Sequence, residues 1–174
     1  VRAVQGYVQG GKDWVVDMDI TKFFDRVNHD ILMTRIGQTI RDKRVLRLIG
    51  RYLRSGVMIE GVVQASEEGT PQGGPLSPLL ANIYLDALDR ELEKRGLAFS
   101  RYADDCNIYV SSRRAAERVL GGLTEWIEQH LRLEVNATKS GVGRPWERKF
   151  LGFRINPEGK IEVAPKSVER FKQK

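Results

Sequence analysis

Residues 99–110, FSRYADDCNIYV, constrain this chain more than any other stretch. They are apolar on both sides of Asp104-Asp105, so they read as a β-hairpin with two carboxylates at its tip. Asp suits turns, and a tight turn alone would account for two adjacent acids. Their place directly after apolar strands changes the reading. Two like charges there repel each other, and a divalent cation relieves that repulsion through one or two carboxylates plus phosphate oxygens. A second segment supplies a third acid. In residues 14–20, Trp14, Val16, Met18 and Ile20 alternate with Val15, Asp17 and Asp19, the period of a strand with acids on its less apolar face. If the two segments pair, three carboxylates meet at one sheet edge. Such a cluster can hold two metal ions that clamp the attacking and leaving oxygens of a phosphoryl transfer.

The remaining pattern supplies helices between strands. Asn28 caps a helix carrying Ile31, Leu32, Ile36 and Ile40. A second helix turns Val45, Leu46, Leu48, Ile49, Tyr52 and Leu53 inward and its arginines outward. Residues 57–63 read as a short hairpin, and GTPQGGPLSP (69–78) as a Gly/Pro loop. Ser77 then caps a helix with Pro78 at its first position, and Gly96 ends it. Ser112 starts a third long helix, on which Ala116, Val119, Leu120, Leu123, Ile127 and Leu131 face inward. Residues 133–135 read as a short strand, and 150–155 with 160–163 as a hairpin around Asn156-Pro157-Glu158-Gly159. Hairpins separated by helices favour an α+β fold, an antiparallel sheet with helices packed on one face.

Charge narrows the class of partner. Of 174 residues, 29 are Lys or Arg and 23 are Asp or Glu, and the excess of +6 sits in two blocks, 41–54 and 141–174. The first holds Arg41, Lys43, Arg44, Arg47, Arg51 and Arg54; the second includes Arg144, Arg148 and Lys149. Clustered cations suit a phosphate backbone, whose counterions they release. One cysteine excludes a disulfide framework and a Cys-rich zinc site. No apolar run approaches the roughly 20 residues that span a bilayer, so no membrane partner is expected.

Five blocks together resemble a known family, the reverse transcriptases, and within it the bacterial group II intron-encoded enzymes (maturases). VVDMDITKFFDRVNHDIL (15–32) is similar to the first catalytic motif of the palm. GTPQGGPLSPLLANIYLDALD (69–89) is similar to the template- and nucleotide-contacting loop and helix. YADD (102–105) is similar to the second catalytic motif, LEVNATKS (133–140) to the Asn-x-x-Lys block, and FLGF (150–153) to the block that grips the primer end. The order is the family's, over about residues 15–155.

The resemblance implies a polymerase palm over 1–164, with the fingers truncated upstream, and the start of a thumb over 165–174. It implies RNA-directed DNA polymerisation with two Mg²⁺ ions, or Mn²⁺ in their place, held by Asp19, Asp104 and Asp105 and by the backbone carbonyl of Ile20. Phe24, five residues after Asp19, would select deoxynucleotides. Pro71, Gln72 and Gly73 would line the nucleotide pocket, and Lys139 would sit near the phosphates. Phe150, Leu151, Gly152, Arg144, Arg148 and Lys149 would meet primer and template. The implied partners are an RNA template, a DNA primer, deoxynucleoside triphosphates and intron RNA, in a bacterial cytoplasm. The isolated segment is expected to be inactive. Retron, diversity-generating and CRISPR-associated reverse transcriptases would share the chemistry with another RNA; a non-catalytic RNA-binding maturase would not need the three acids.

Overall fold

The sheet that carries the acids is built on one central strand. The structure, a computed structural model, describes residues 1–55, 57–59, 62–64, 68–71 and 74–173. Its elements in chain order are α1 (Arg2–Gln9), β1 (Trp14–Met18), α2 (His29–Thr39), α3 (Lys43–Arg54), β2 (Val57–Ile59) and β3 (Val62–Gln64). There follow α4 (Ser77–Lys94), β4 (Ala98–Tyr102), β5 (Asp105–Val110), α5 (Arg113–Leu131), β6 (Gly141–Gly143), β7 (Phe153–Ile155), β8 (Ile161–Val163) and α6 (Pro165–Lys172). The order in the main sheet is β4-β5-β1-β6, antiparallel throughout; β2–β3 and β7–β8 are separate hairpins. The α+β expectation therefore stands.

Strand β1 pairs with β5 from Trp14–Val110 to Met18–Cys106. Alternation then sorts the side chains. Val16, Met18, Ile108 and Cys106 face the larger core with Leu32 and Ile36 of α2, Leu80, Tyr84, Leu85 and Leu88 of α4, and Leu123 and Ile127 of α5. Burial first, and then the charge of Asp89, push the Cys106 thiol up to about 12, which fits its reading as a small apolar filler. Two sequence-assigned caps hold: Asn28 Oδ1 accepts from Ile31 N (3.1 Å) and Ser112 Oγ from Ala115 N (3.2 Å).

Several expectations need correction. The sheet is covered on both faces. Val15, assigned to the less apolar face, is fully buried with Tyr109 against Val4 of α1, Phe150 and Ile155. Helix α1 itself was not foreseen. Strand β1 stops at Met18, and residues 133–135 form one isolated bridge, Ile20–Val135, because the chain turns away at once. The block 150–155 begins as a turn, with strand only from Phe153. Ser77 is not the cap of α4. Leu76 holds that place, and the Ser77 hydroxyl donates instead to Pro71 O (2.5 Å). On α3, Val45 and Leu48 are exposed rather than inward. Among the described residues no helix is long and apolar enough to cross a membrane.

Candidate active site

The second face of β1 and β5 grades along its length. Val15 pairs with Tyr109, and Asp17 with Asn107. One step beyond the last pair, Met18–Cys106, the register sets Asp19 beside Asp105. An apolar face thus becomes polar and then acidic. Asp17 is drawn above the ordinary carboxylate range, first by burial, against the pull of Arg148. With its amide nitrogen turned to Asp17, Asn107 donates to Oδ1 at 3.1 Å. Asp105 is also raised, by desolvation first and then by the charges of Asp104 and Asp19. That repulsion is the electrostatic signature of carboxylates gathered at one place.

Backbone bonds clamp Asp19. Its N–H donates to Ser140 Oγ (2.9 Å) and its carbonyl accepts from Asn136 N (2.8 Å). Asn136 also folds its own loop, since Oδ1 accepts from Thr138 N (3.1 Å) and Lys139 N (3.2 Å). The loop carries Lys139 to the cluster, where Nζ lies 3.5 Å from Asp19 Oδ2.

The hairpin tip is braced from α4. Arg101, almost buried, forks onto Asp89 at 2.7 and 2.5 Å, reaches Asn82 Oδ1 (3.1 Å) and donates to Ala103 O (2.8 Å). Ala103 takes a left-handed φ of 53° in the two-residue turn before Asp105. Asn136 is the Asn of the Asn-x-x-Lys block and Ser140 ends that block, but the sequence assigns neither a role, and nothing in it points to the Arg101 brace.

A cleft of about 250 Å³ joins these parts: Asp17, Asp19, Asp105, Asn107, Lys139, Lys149, Phe150, Leu151 and Gly152 line it. Opposite the acids stands a tight turn. Phe150 and Phe153 exchange backbone bonds at 2.8 and 3.0 Å, and Leu151 and Gly152 both have positive φ, 53° and 80°. That is the turn type hairpins favour, and Gly suits its second central position. Asp17, Asp19 and Asp105 line the cleft and Asp104 does not; carboxylates suit a hard divalent cation. Among the described residues no three His, Cys, Asp or Glu side chains already converge as metal ligands do. Mg²⁺ needs only one or two carboxylates and fills its remaining positions with water and phosphate oxygens.

Other expected residues lie apart from this cleft. Phe24 packs edge-on against Phe23 at 5.2 Å, and its carbonyl accepts from Thr70 N at 2.7 Å. This brings the start of the 69–78 loop, and so Pro71, to the Phe24 segment. Gln72 and Gly73 fall outside the described residues. Arg144 is held near the start of β1, ion-paired to Asp13 and stacked 4.2 Å over Trp14. Asp19 lies beyond the other end of that strand. Arg148 pairs with Asp17 at 3.6 Å and lies flat over β6. A Cβ on Gly141 would come within 2.7 Å of its guanidinium, so β6 is glycine where the arginine crosses it. A wider groove of about 520 Å³, lined by Trp146, Arg148, Lys149, Arg154 and Lys166, continues from Asp17.

This chain is similar to known proteins. The family described as "Reverse transcriptase (RNA-dependent DNA polymerase)" matches residues 5–155. Protein YkfC of Escherichia coli (strain K12) is 29% identical over 177 residues, 82% of this chain and 46% of YkfC. Group II intron-encoded protein LtrA of Lactococcus lactis subsp. cremoris is 40% identical over 92 residues, 53% of this chain and 15% of LtrA. Apo telomerase from Candida tropicalis superposes with a TM-score of 0.70 at 13% identity, covering 96% of this chain and 37% of that one. At that identity the likeness speaks for the fold alone. The chain spans less than half the length of these curated relatives.

Proposed function

The chain belongs to the reverse transcriptase family, and on that premise we propose that it is the palm of an RNA-directed DNA polymerase of the group II intron type. The observation that carries the reading is the β1–β5 register. It brings Asp19 beside Asp105 at a cleft shared with Lys139 and the 150–152 turn. The reaction would be addition of a deoxynucleotide to a primer 3′-hydroxyl, with pyrophosphate leaving.

Asp19, Asp104 and Asp105, with the Ile20 carbonyl, would hold two Mg²⁺ ions. Bound there, the ions would activate the primer hydroxyl and stabilise the departing pyrophosphate. Lys139 stands 3.5 Å from Asp19 and would meet the phosphates of the incoming nucleotide, giving a proton to the leaving group. Phe24 would form the floor beneath the sugar, with Pro71, Gln72 and Gly73 beside the base. The 150–152 turn and Lys149 would hold the primer end against the acids. Arg148 would keep that wall in place through Asp17, and Arg144 would reach the nucleic acid from the far end of β1.

The intron reading is supported by the 40% identity to LtrA; an intron RNA would be a second partner, bound by the longer protein in the bacterial cytoplasm. Retron Ec86 reverse transcriptase of Escherichia coli, 30% identical over 60% of this chain, would share the chemistry with a different RNA.

The test is primer extension on an RNA template with Mg²⁺ by the protein containing this chain, against its Asp104→Asn variant. Extension reduced at least 1,000-fold, on the order lost when a catalytic group is removed, is expected. Unchanged extension would remove the carboxylates from the mechanism.

A further inference from the structure

The cation-rich helix α3 plays no part in the cleft. Its sequence KRVLRLIGRYLR places Arg44, Arg47, Arg51 and Arg54 at intervals of three, four and three residues, one stripe of an α-helix. All four are exposed, as are Arg41 and Lys43 just before them. The stripe runs roughly 15 Å at 1.5 Å per residue, the rise of about four stacked nucleotides.

Several arginines elsewhere are held by acids. Arg26, Arg90, Arg95, Arg101, Arg113 and Arg154 each pair with an acid. The one acid of the α3 block, Asp42, caps the helix by accepting from Arg44 N at 2.7 Å. It pairs with an Arg44 side chain that remains 91% exposed. Among the described residues no acid pairs with Arg47, Arg51 or Arg54. Arg54 folds back over Gly50. The repulsion along such a solvated row is small, and the row stands open to a polyanion, whose condensed counterions it would release on contact.

We infer that the outer face of α3, centred on Arg44, Arg47 and Arg51, binds the phosphate backbone of an RNA strand without reading its sequence. The choice of RNA as the polyanion rests on the reverse transcriptase reading; the stripe itself does not. Position supports that choice. Tyr52, on the inner side of the same helix, approaches Ser77 (3.4 Å) at the mouth of the 69–78 loop, so α3 packs beside a segment expected to meet the template. A membrane surface fits less well. Leu46, Ile49, Tyr52 and Leu53, the apolar side that a lipid-bound helix would bury, are packed into the protein core. Only Val45 and Leu48 remain exposed.

Fluorescence anisotropy of this chain with a labelled 20-nucleotide single-stranded RNA tests the surface. The triple variant R44Q/R47Q/R51Q should bind about tenfold more weakly at 100 mM salt. The slope of log K against log salt should flatten by about 2, three phosphate contacts at roughly 0.7 each. The triple variant R44K/R47K/R51K should keep binding, and the charge-matched R90Q/R114Q/R118Q should change it less than threefold. Circular dichroism melts should coincide for all, since the side chains are exposed. Equal loss in both glutamine triples, no loss in the α3 triple, or no RNA binding by the unmodified chain would overturn the proposal. So would α3-dependent binding to phosphatidylserine vesicles tighter than to RNA. Absent primer extension by the protein containing this chain, with an α3-dependent RNA affinity, would sink the polymerase reading and leave this surface standing.

Discussion

The two walls of the cleft are held in opposite ways. The acid wall hangs from the β1–β5 ladder, five residue pairs long and buried on both faces. The facing wall hangs from β7–β8, two three-residue strands over a small apolar cluster. Side-chain ties fasten that hairpin: Arg148 to Asp17, Arg154 and Asn156 to Glu162, and Gln5 to the Gly159 carbonyl. Backbone ladders fix atoms closely; paired long side chains yield. The charges that must converge are therefore on the stiff side, and the wall that meets a changing ligand is on the compliant one.

Truncating each wall's core measures the contrast. Ile108→Ala, at a fully buried site, should cost about 4 kcal/mol in urea unfolding, and Ile155→Ala about 2 kcal/mol, because the small cluster can collapse. Equal losses would erase the distinction. Arg101→Met should cost about 2 kcal/mol by leaving the half-buried Asp89 unpaired, and Asp89→Asn in that background should restore part of it. Gly141→Ala should cost only about 1 kcal/mol, since its Cβ displaces a side chain and no backbone. It should nevertheless speed amide exchange at Phe150 and Phe153, because Arg148 must move. The smallest effect concerns acid. Hydrogen bonds from Asn156 and Arg154 hold the Glu162 carboxyl below its ordinary value of 4.5. Their stabilisation is present above that value and is lost as pH falls through the depressed one. Exchange in β7–β8 should rise below about pH 4, and Glu162→Gln should remove that dependence.

The same division decided what the sequence disclosed. Ladder positions repeat every two residues, so 14–20 and 99–110 read as strands carrying acids at their ends before any coordinates. The opposite wall carries no such period. Helix α1 has Val4, Tyr7 and Val8 as its apolar signal, interrupted by Gly6. Strand β6 is Gly-Val-Gly and reads as a loop, because its glycines answer to an arginine seven and five residues later. FLGF reads as strand by composition, yet its two central residues adopt positive φ. Arg101 acts through side chains of α4 and Ser140 through the backbone of Asp19, partners too far along the chain for a spacing rule to report. Among the blocks recognised by resemblance, the fold was legible; the roles of single side chains around the acids depended on geometry.

Ala103 has one further consequence. It holds a left-handed conformation that glycine would adopt more cheaply, by roughly 1 kcal/mol. The hairpin tip is therefore a loaded spring at the point where Asp104 and Asp105 are presented. Deleting one methyl group would unload it, and a β-branched residue would wind it tighter. The position is a dial on the tension of the tip, adjustable by side-chain choice without touching either carboxylate.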